Sequence, residues 1–458
     1  MMVVSKQYQI FFDFLRFCIG SAKEIPGSLK EVDWKELYAI AKKQCLVGVL
    51  FDGIKKLPAE YVGMEKELLL QWMAESQMLE KANVRLNDAA IHVSEWFRKK
   101  GFRTCILKGQ GNALLYPNPY SRTPGDIDIW VEGEDKRVIS FVRSISPHEK
   151  ACYHHIEFPS YKGVEVEVHY RPSFLLCFRH NRKLQKYYER VKEEQFSHRV
   201  MLGEQGEIAI PMVEFNLIFQ LTHIFSHLMN EGIGLRQLLD YYYVLCDFYK
   251  VYQNFSKITP SLFTLKEGDF SNHPVPLSKE GSTFSPSPSS SGSGDVTAPS
   301  RCSEPLRSKD GGPSKVSPDC AGWDRLSIEG DNSAGSTTAV TSSASTALDV
   351  VQKELKELGL WKFAGGIMYI MQEVFGMPAS RLIVPPNEKY GKFVLNEVLE
   401  AGNFGRHDAR NRFDRSQLGH NLQRVYRDIR LVRYFPAEAM SEPFFRVWHF
   451  FWRMKNKK

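Results

Sequence analysis

In the first hundred residues, apolar positions recur every three or four. Leu37, Ile40 and Ala41 stand at helical spacing, and the apolar run Leu46 to Leu50 follows. From Glu65 to Lys100, Leu68, Leu69, Trp72, Met73, Leu79, Ala89, Ile91, Val93, Trp96 and Phe97 keep that period without a proline. Lys99-Lys100-Gly101 then supplies a basic last turn and a stop. This predicts one long helix, broken at most once. The period changes at Phe102. Phe102 to Leu107 reads as a strand, and Gly109 to Tyr116 as a turn opening into a short helix. Pro117, Pro119 and Pro124 impose an irregular loop. Ile127 to Val131 is a second strand, and Asp135 to Val142 a helix. Tyr153 to Phe158 and Val164 to His169 are two further strands, joined through the Lys162-Gly163 turn. Helix returns from Met212. The order is helices, a compact α/β unit, then helices, which is an α+β class.

Composition alters this picture in one segment. Residues 255–348 are rich in Ser, Thr, Gly and Pro and poor in large apolar residues. Such a stretch buries too little surface to offset its ordering entropy, and it reads as a disordered insertion. The predicted organisation is a helical region over 1–100, the α/β core over 101–172, and a helical region over 173–254. The insertion covers 255–348, and a basic helical region covers 349–458.

The chain has 458 residues and eight cysteines, none in a C-x-x-C pair. That spacing disfavours a zinc knuckle and reads as reduced thiols of a cytoplasmic protein. The N-terminal apolar stretch carries Asp13 and Arg16, so it is not read as a signal peptide, and no run is long enough for a membrane helix. Net charge is +7, concentrated at the end: residues 403–458 hold thirteen Lys/Arg against five Asp/Glu. This segment admits two readings, a solvated helix face or a surface for polyanions such as nucleic acid.

The candidate chemistry lies in the α/β unit. Asp126 and Asp128 are two residues apart at a strand start, so both side chains share a face while Ile127 and Ile129 point into the core. Two carboxylates forced together repel unless a cation lies between them, and oxygen-rich pairs suit Mg²⁺ or Mn²⁺. Glu165, Glu167 and His169 likewise share one face of Val164 to His169. An acid from that strand would complete a three-carboxylate cluster. Lys108-Gly109-Gln110-Gly111 follows a strand and opens a helix, an arrangement suited to anions. Gly109 and Gly111 would permit close backbone approach, and Lys108 adds a charge. Arg122 offers a second cation from the proline loop. His154 and His155 are adjacent, so only one can face a site. His223 and His227 are spaced i, i+4 without an obvious third ligand for zinc. Arg236 and Asp240 have the same spacing and read as a helix-packing ion pair or as a substrate-binding pair.

The stretch LKGQGNALLYPNPYSRTPGDIDIWV, with YHHIEF and VEVEVHYRP after it, resembles the nucleotidyltransferase fold of the DNA polymerase β-like superfamily. More narrowly it is similar to a bacterial family of uncharacterised nucleotidyltransferases. The resemblance implies a small mixed sheet and transfer of a nucleoside monophosphate from an NTP to an acceptor, with release of pyrophosphate. It gives Asp126, Asp128 and Glu167 the Mg²⁺-binding and catalytic roles, and Gly109 and Lys108 the phosphate-turn role. Gly111, Arg122 and His169 would contact the nucleotide. Gly109-Gln110 stands where the superfamily usually has Gly-Ser. Two other functions stay open: a catalytically inactive nucleotide- or partner-binding module, and a nucleic-acid-directed enzyme. In the latter, Arg406, Arg410, Arg412, Arg424, Arg427, Arg430 and Arg433 would track a phosphate backbone.

Overall fold

A computed structural model of the chain describes residues 5–204, 206–258, 344–408, 410 and 417–456. Four helices come first: α1 (Lys6–Ile19), α2 (Trp34–Lys43), α3 (Val47–Ile54) and α4 (Lys66–Lys99). The Asp33 carboxylate caps α2 by accepting from the Lys35 and Glu36 amides, which satisfies two otherwise orphaned donors. The long helix predicted from periodicity is α4, unbroken over 34 residues. Its indole Trp72 is fully buried and donates to the Val47 carbonyl at 2.9 Å, which ties α4 to α3.

The sheet follows: β1 (Thr104–Ile106), the single-turn α5 (Gln110–Ala113), β2 (Ile127–Val131), α6 (Asp135–Ile145), β3 (His155–Tyr161) and β4 (Val164–His169). Strand order is β1-β2-β4-β3. β2 runs parallel to β4 and antiparallel to β1, and β3 and β4 form an antiparallel pair. The sheet is therefore mixed and small, set among helices, as the α+β reading required. The Lys162-Gly163 turn has φ of 50° and 78°, the left-handed pair that a two-residue hairpin needs. Ile127, Ile129 and Val131 enter one apolar core with Val166 and Val168 of β4, Phe97 of α4 and Val138 of α6. Trp130, one residue out of phase, enters a second and larger core with Phe196 and Phe215. The period-2 alternation of β2 thus closes both faces of the sheet, and Asp128 is the one ionisable residue of that strand.

The larger core is built with α7 (Phe178–Ser197), the β5–β6 hairpin (Arg199–Met201, Glu207–Ala209), α8 (Val213–Asn230) and α9 (Leu235–Ile258). Helices α10 (Ala344–Glu357), α11 (Trp361–Glu373), α12 (Glu388–Ala401), α13 (Gln417–Leu431) and α14 (Pro436–Lys455) complete it. Of the 255–348 segment, 255–258 end α9 and 344–348 begin α10; residues 259–343 lie outside the described residues. Among the described residues, no helix is long and apolar enough to cross a membrane.

Candidate active site

β2 and β4 are parallel neighbours in a register that places Asp128 opposite Glu167 and Trp130 opposite His169. Side chains at paired positions of adjacent strands project to the same side, so the two carboxylates meet. Asp126, two residues earlier, reaches the same point. One carboxylate oxygen from each of Asp126, Asp128 and Glu167 lies within 4.8 Å of the others. The cluster opens into a cleft of about 630 Å³.

Two cations face these three acids. The Lys108 ammonium lies 2.9 Å from Asp128 Oδ1, and His169 Nε2 lies 3.0 Å from the same oxygen and 3.3 Å from Glu167 Oε2. The other His169 nitrogen, Nδ1, is 3.3 Å from the Arg171 carbonyl, so both ring nitrogens donate. Burial alone would lower the His169 pKa, but hydrogen bonds to Asp128 and Glu167 outweigh it and hold the ring up at about 9. Burial also works against an ionised Asp128, yet Lys108 first and His169 second hold its pKa well below the usual range. Asp126 goes the other way. The Asp128 charge and then burial raise its pKa, and it ion-pairs with no cation among the described residues. Three carboxylates against two cations leave the cluster short of positive charge. Three hard oxygen donors converging beside an open cleft are a donor set that fits Mg²⁺ or Mn²⁺.

The Lys108 turn depends on Gly109, whose φ of 59° and ψ of −107° suit glycine alone. Lys108 and Gly109 line the cleft. Gly111 does not: it is buried, and an added Cβ would come within 2.9 Å of the Ile210 side chain. Its lack of a side chain serves packing, and its amide bonds back to the Lys108 carbonyl at 3.3 Å, which corrects the phosphate-approach expectation. Helix α5 spans only four residues, so its dipole adds little.

Arg122 lines the same cleft, but its guanidinium is already engaged. Its guanidinium is almost wholly buried and makes a two-pronged pair with Asp240, Nε to Oδ1 and Nη2 to Oδ2, both 2.8 Å. Tyr116 donates to the same Oδ1 at 2.7 Å. The closed pair holds the proline loop to α9 and presents no free fork to a ligand. Asp240 is thus the partner of Arg122 across 118 residues of chain, and Arg236 is not its hydrogen-bonded mate.

His223 and His227 do not form a zinc site, since no third ligand joins them among the described residues. They extend the Lys108 contact instead. Lys108 Nζ donates to His223 Nε2 at 3.0 Å, His223 Nε2 lies 3.0 Å from His227 Nε2, and His227 Nδ1 lies 3.2 Å from Glu231 Oε2. Burial, then the neighbouring Lys108 charge, pushes the His223 pKa well down, so its ring accepts as the neutral form. His155 Nδ1 is 3.2 Å from Glu167 Oε2, and burial followed by the His169 charge brings its pKa down to about 4. A separate grouping of Cys177, His180 and Glu438 has a structural role. Glu438 of α14 accepts from the Leu176 and Cys177 amides at 2.7 and 2.8 Å and from His180, which ties α14 to the segment leading into α7.

The far wall of the cleft comes from the C-terminal region: Phe404, Arg406, Arg424, Phe445, Arg446 and His449. Arg406 and Arg424 belong to the basic run read from the sequence, but no local pattern places Phe404, Phe445, Arg446 or His449 at a cleft. The proposed arginine track loses several members. Arg410 is bound to Asp408 and Glu397, Arg430 pairs with Glu397 at 3.4 Å, and Arg427 is buried. Arg412 lies outside the described residues.

The family model described as uncharacterised nucleotidyltransferase matches residues 30–254. That span contains the whole sheet, all three clustered acids and the Lys108 turn, and the match supports a nucleotidyltransferase domain with general nucleoside monophosphate transfer. No curated protein matches the chain, and no solved structure does.

Proposed function

We propose that the chain is a Mg²⁺- or Mn²⁺-dependent nucleotidyltransferase that moves an NMP from an NTP to an acceptor hydroxyl and releases pyrophosphate. The convergence of Asp126, Asp128 and Glu167 on one point of the cleft, with too few cations to balance them, carries this reading. Asp126 and Asp128 would hold divalent metal, with Glu167 as the third ligand on the acceptor side. Bound there, such ions neutralise triphosphate charge and stabilise the entering and leaving oxygens of an in-line displacement.

The remaining roles belong to side chains. Lys108, 2.9 Å from Asp128 and on a glycine turn, would shift its ammonium from Asp128 to a triphosphate oxygen. His169, charged and fixed by the Arg171 carbonyl, keeps Asp128 and Glu167 facing each other and stands ready to contact the nucleotide. Glu167, the more solvent-accessible of the two acids that contact His169, would accept the proton of the attacking hydroxyl. The acceptor oxygen then bonds to the α-phosphorus as the bond to the β-phosphate oxygen breaks, and pyrophosphate leaves. Positioning and charge neutralisation supply most of the acceleration. The interrupted arginine track favours a small-molecule or protein acceptor over a long nucleic acid, and we place the enzyme in the cytoplasm and in the polymerase β-like superfamily.

The test is incubation of the full chain with each labelled NTP, Mg²⁺ and cell extract, with mass spectrometry of the acceptor fraction. Wild type should label an acceptor, and Asp126→Ala/Asp128→Ala should not. Absence of labelling from both would favour the non-catalytic nucleotide- or partner-binding module.

A further inference from the structure

The cleft holds a second imbalance, at its Arg236 end. Arg236 sits in the first turn of α9, is 9% exposed and lines the cleft. Its Nε has no hydrogen-bond partner, and its Nη1 makes only a long contact to the Thr123 carbonyl at 3.4 Å. The guanidinium lies 5.9 Å from the ring centre of Phe404. The acid one turn on, Asp240, is fully engaged: both its oxygens go to Arg122, and Tyr116 donates to one of them. No carboxylate among the described residues ion-pairs with Arg236. Two buried guanidiniums therefore share one buried carboxylate.

A buried charge without a counter-charge is among the most unfavourable features a fold can hold, and a buried donor without an acceptor adds to the penalty. Such features persist where function needs them. A planar guanidinium is the group best matched to a phosphate, through two parallel N–H···O bonds. The contact with Thr123 places Arg236 against the loop that leads three residues later into Asp126. Phe404 supports the same wall, packs on His227, and holds a left-handed φ of 53° that a non-glycine residue adopts only when its surroundings enforce it.

We propose that Arg236 is the phosphate-binding arginine of the cleft, and that its ligand is the triphosphate of the nucleotide. The assignment rests on the nucleotidyltransferase reading for the identity of that ligand, and it gives Arg236 the role that Arg122, locked to Asp240, does not fill.

The experiment is calorimetric titration of the full chain with tripolyphosphate and with each NTP in the presence of Ca²⁺, with no acceptor added. Wild type, Arg236→Met and Arg236→Lys are compared, with thermal melting of each. Removing the charge should weaken tripolyphosphate binding about tenfold or more, the loss of a charge-assisted pair. Lysine, which keeps the charge but lacks the fork, should bind between wild type and methionine. Arg236→Met should also melt at or above the wild-type temperature, because it deletes an unbalanced buried charge; a purely structural arginine would melt lower. Unchanged tripolyphosphate affinity in Arg236→Met, a lower melting temperature, or no binding by wild type would each overturn the assignment. Failure of the enzyme reading looks different: Arg236-dependent tripolyphosphate binding with no transfer from any NTP would leave the phosphate seat standing. Transfer lost in Asp126→Ala/Asp128→Ala, with tripolyphosphate affinity untouched by Arg236→Met, would do the reverse.

Discussion

Two buried cation–carboxylate groupings lie a short stretch of chain apart, and they behave as opposites. Arg122 and Asp240 form a closed unit: two donors meet two acceptors at 2.8 Å, Tyr116 fills a remaining lone pair, and solvent is excluded. Lys108 and Asp128 form an open one. The ammonium is shared between Asp128 and His223, Asp128 is shared between Lys108 and His169, and Asp126 beside them has no cation of its own. The residue types are nearly the same. Geometry makes the first a bracket that fixes a loop and the second a site still able to attract positive charge.

The sharpest way to break this comparison is to remove the open acids. Asp126→Ala/Asp128→Ala should lower transfer on the order of 10⁴-fold, about 5.5 kcal/mol of barrier, and should also lower thermal stability, because loss of Asp128 leaves the buried Lys108 and His169 charges without their carboxylate. Initial rates and melting curves together check this, and a double variant as stable as wild type would show that Asp128 is not what balances Lys108 and His169. Breaking the closed pair should also lower stability. Asp240→Asn leaves Arg122 and Arg236 buried together without a counter-charge and should cost about 3–5 kcal/mol in denaturant unfolding. A change under about 1 kcal/mol would place Arg122 among the available ligand contacts after all.

Gly109→Ala is a smaller perturbation. A Cβ there meets only the Asp126 carbonyl at an ordinary 3.7 Å, so the strain comes from backbone conformation alone. It should destabilise by roughly 1–3 kcal/mol and raise KM for the nucleotide by displacing Lys108. An unchanged KM would detach the turn from nucleotide binding.

The smallest expected effect is a pH dependence away from both groupings. Burial, then the Glu442 charge, raises the Asp428 pKa to about 7. The folded state then binds a proton that the unfolded state releases near the ordinary carboxylate value. Stability contributed by that proton is present at low pH and is lost as pH rises through about 7. Asp428→Asn should flatten this slope in melting curves taken between pH 5.5 and 8; parallel curves for both proteins would show that Asp428 does not carry it.

Much of the open site could be read along the chain because its determinants are local. Strict alternation in Val164 to His169 put Glu167 and His169 on one face, and the D-x-D spacing did the same for Asp126 and Asp128. The hairpin followed from Lys162-Gly163, where both residues take left-handed φ. Where the reading departed from the structure, the partner was remote. Arg122 was assigned a ligand because its mate stands 118 residues away, and the i, i+4 spacing of Arg236 and Asp240 suggested a pair that Arg122 pre-empts. Gly111 looked like part of a phosphate turn until Ile210 proved to pack on it.

Periodicity and backbone chemistry alone determined the strands, the faces on which the acids stand and the turn that carries Lys108, since each depends on residues a few positions apart. Tertiary structure alone decided which charges are balanced. Only the docking of α8, α9 and the C-terminal helices around the sheet brings distant groups within Coulomb range at low dielectric, and there a single carboxylate can satisfy one of two arginines but not both.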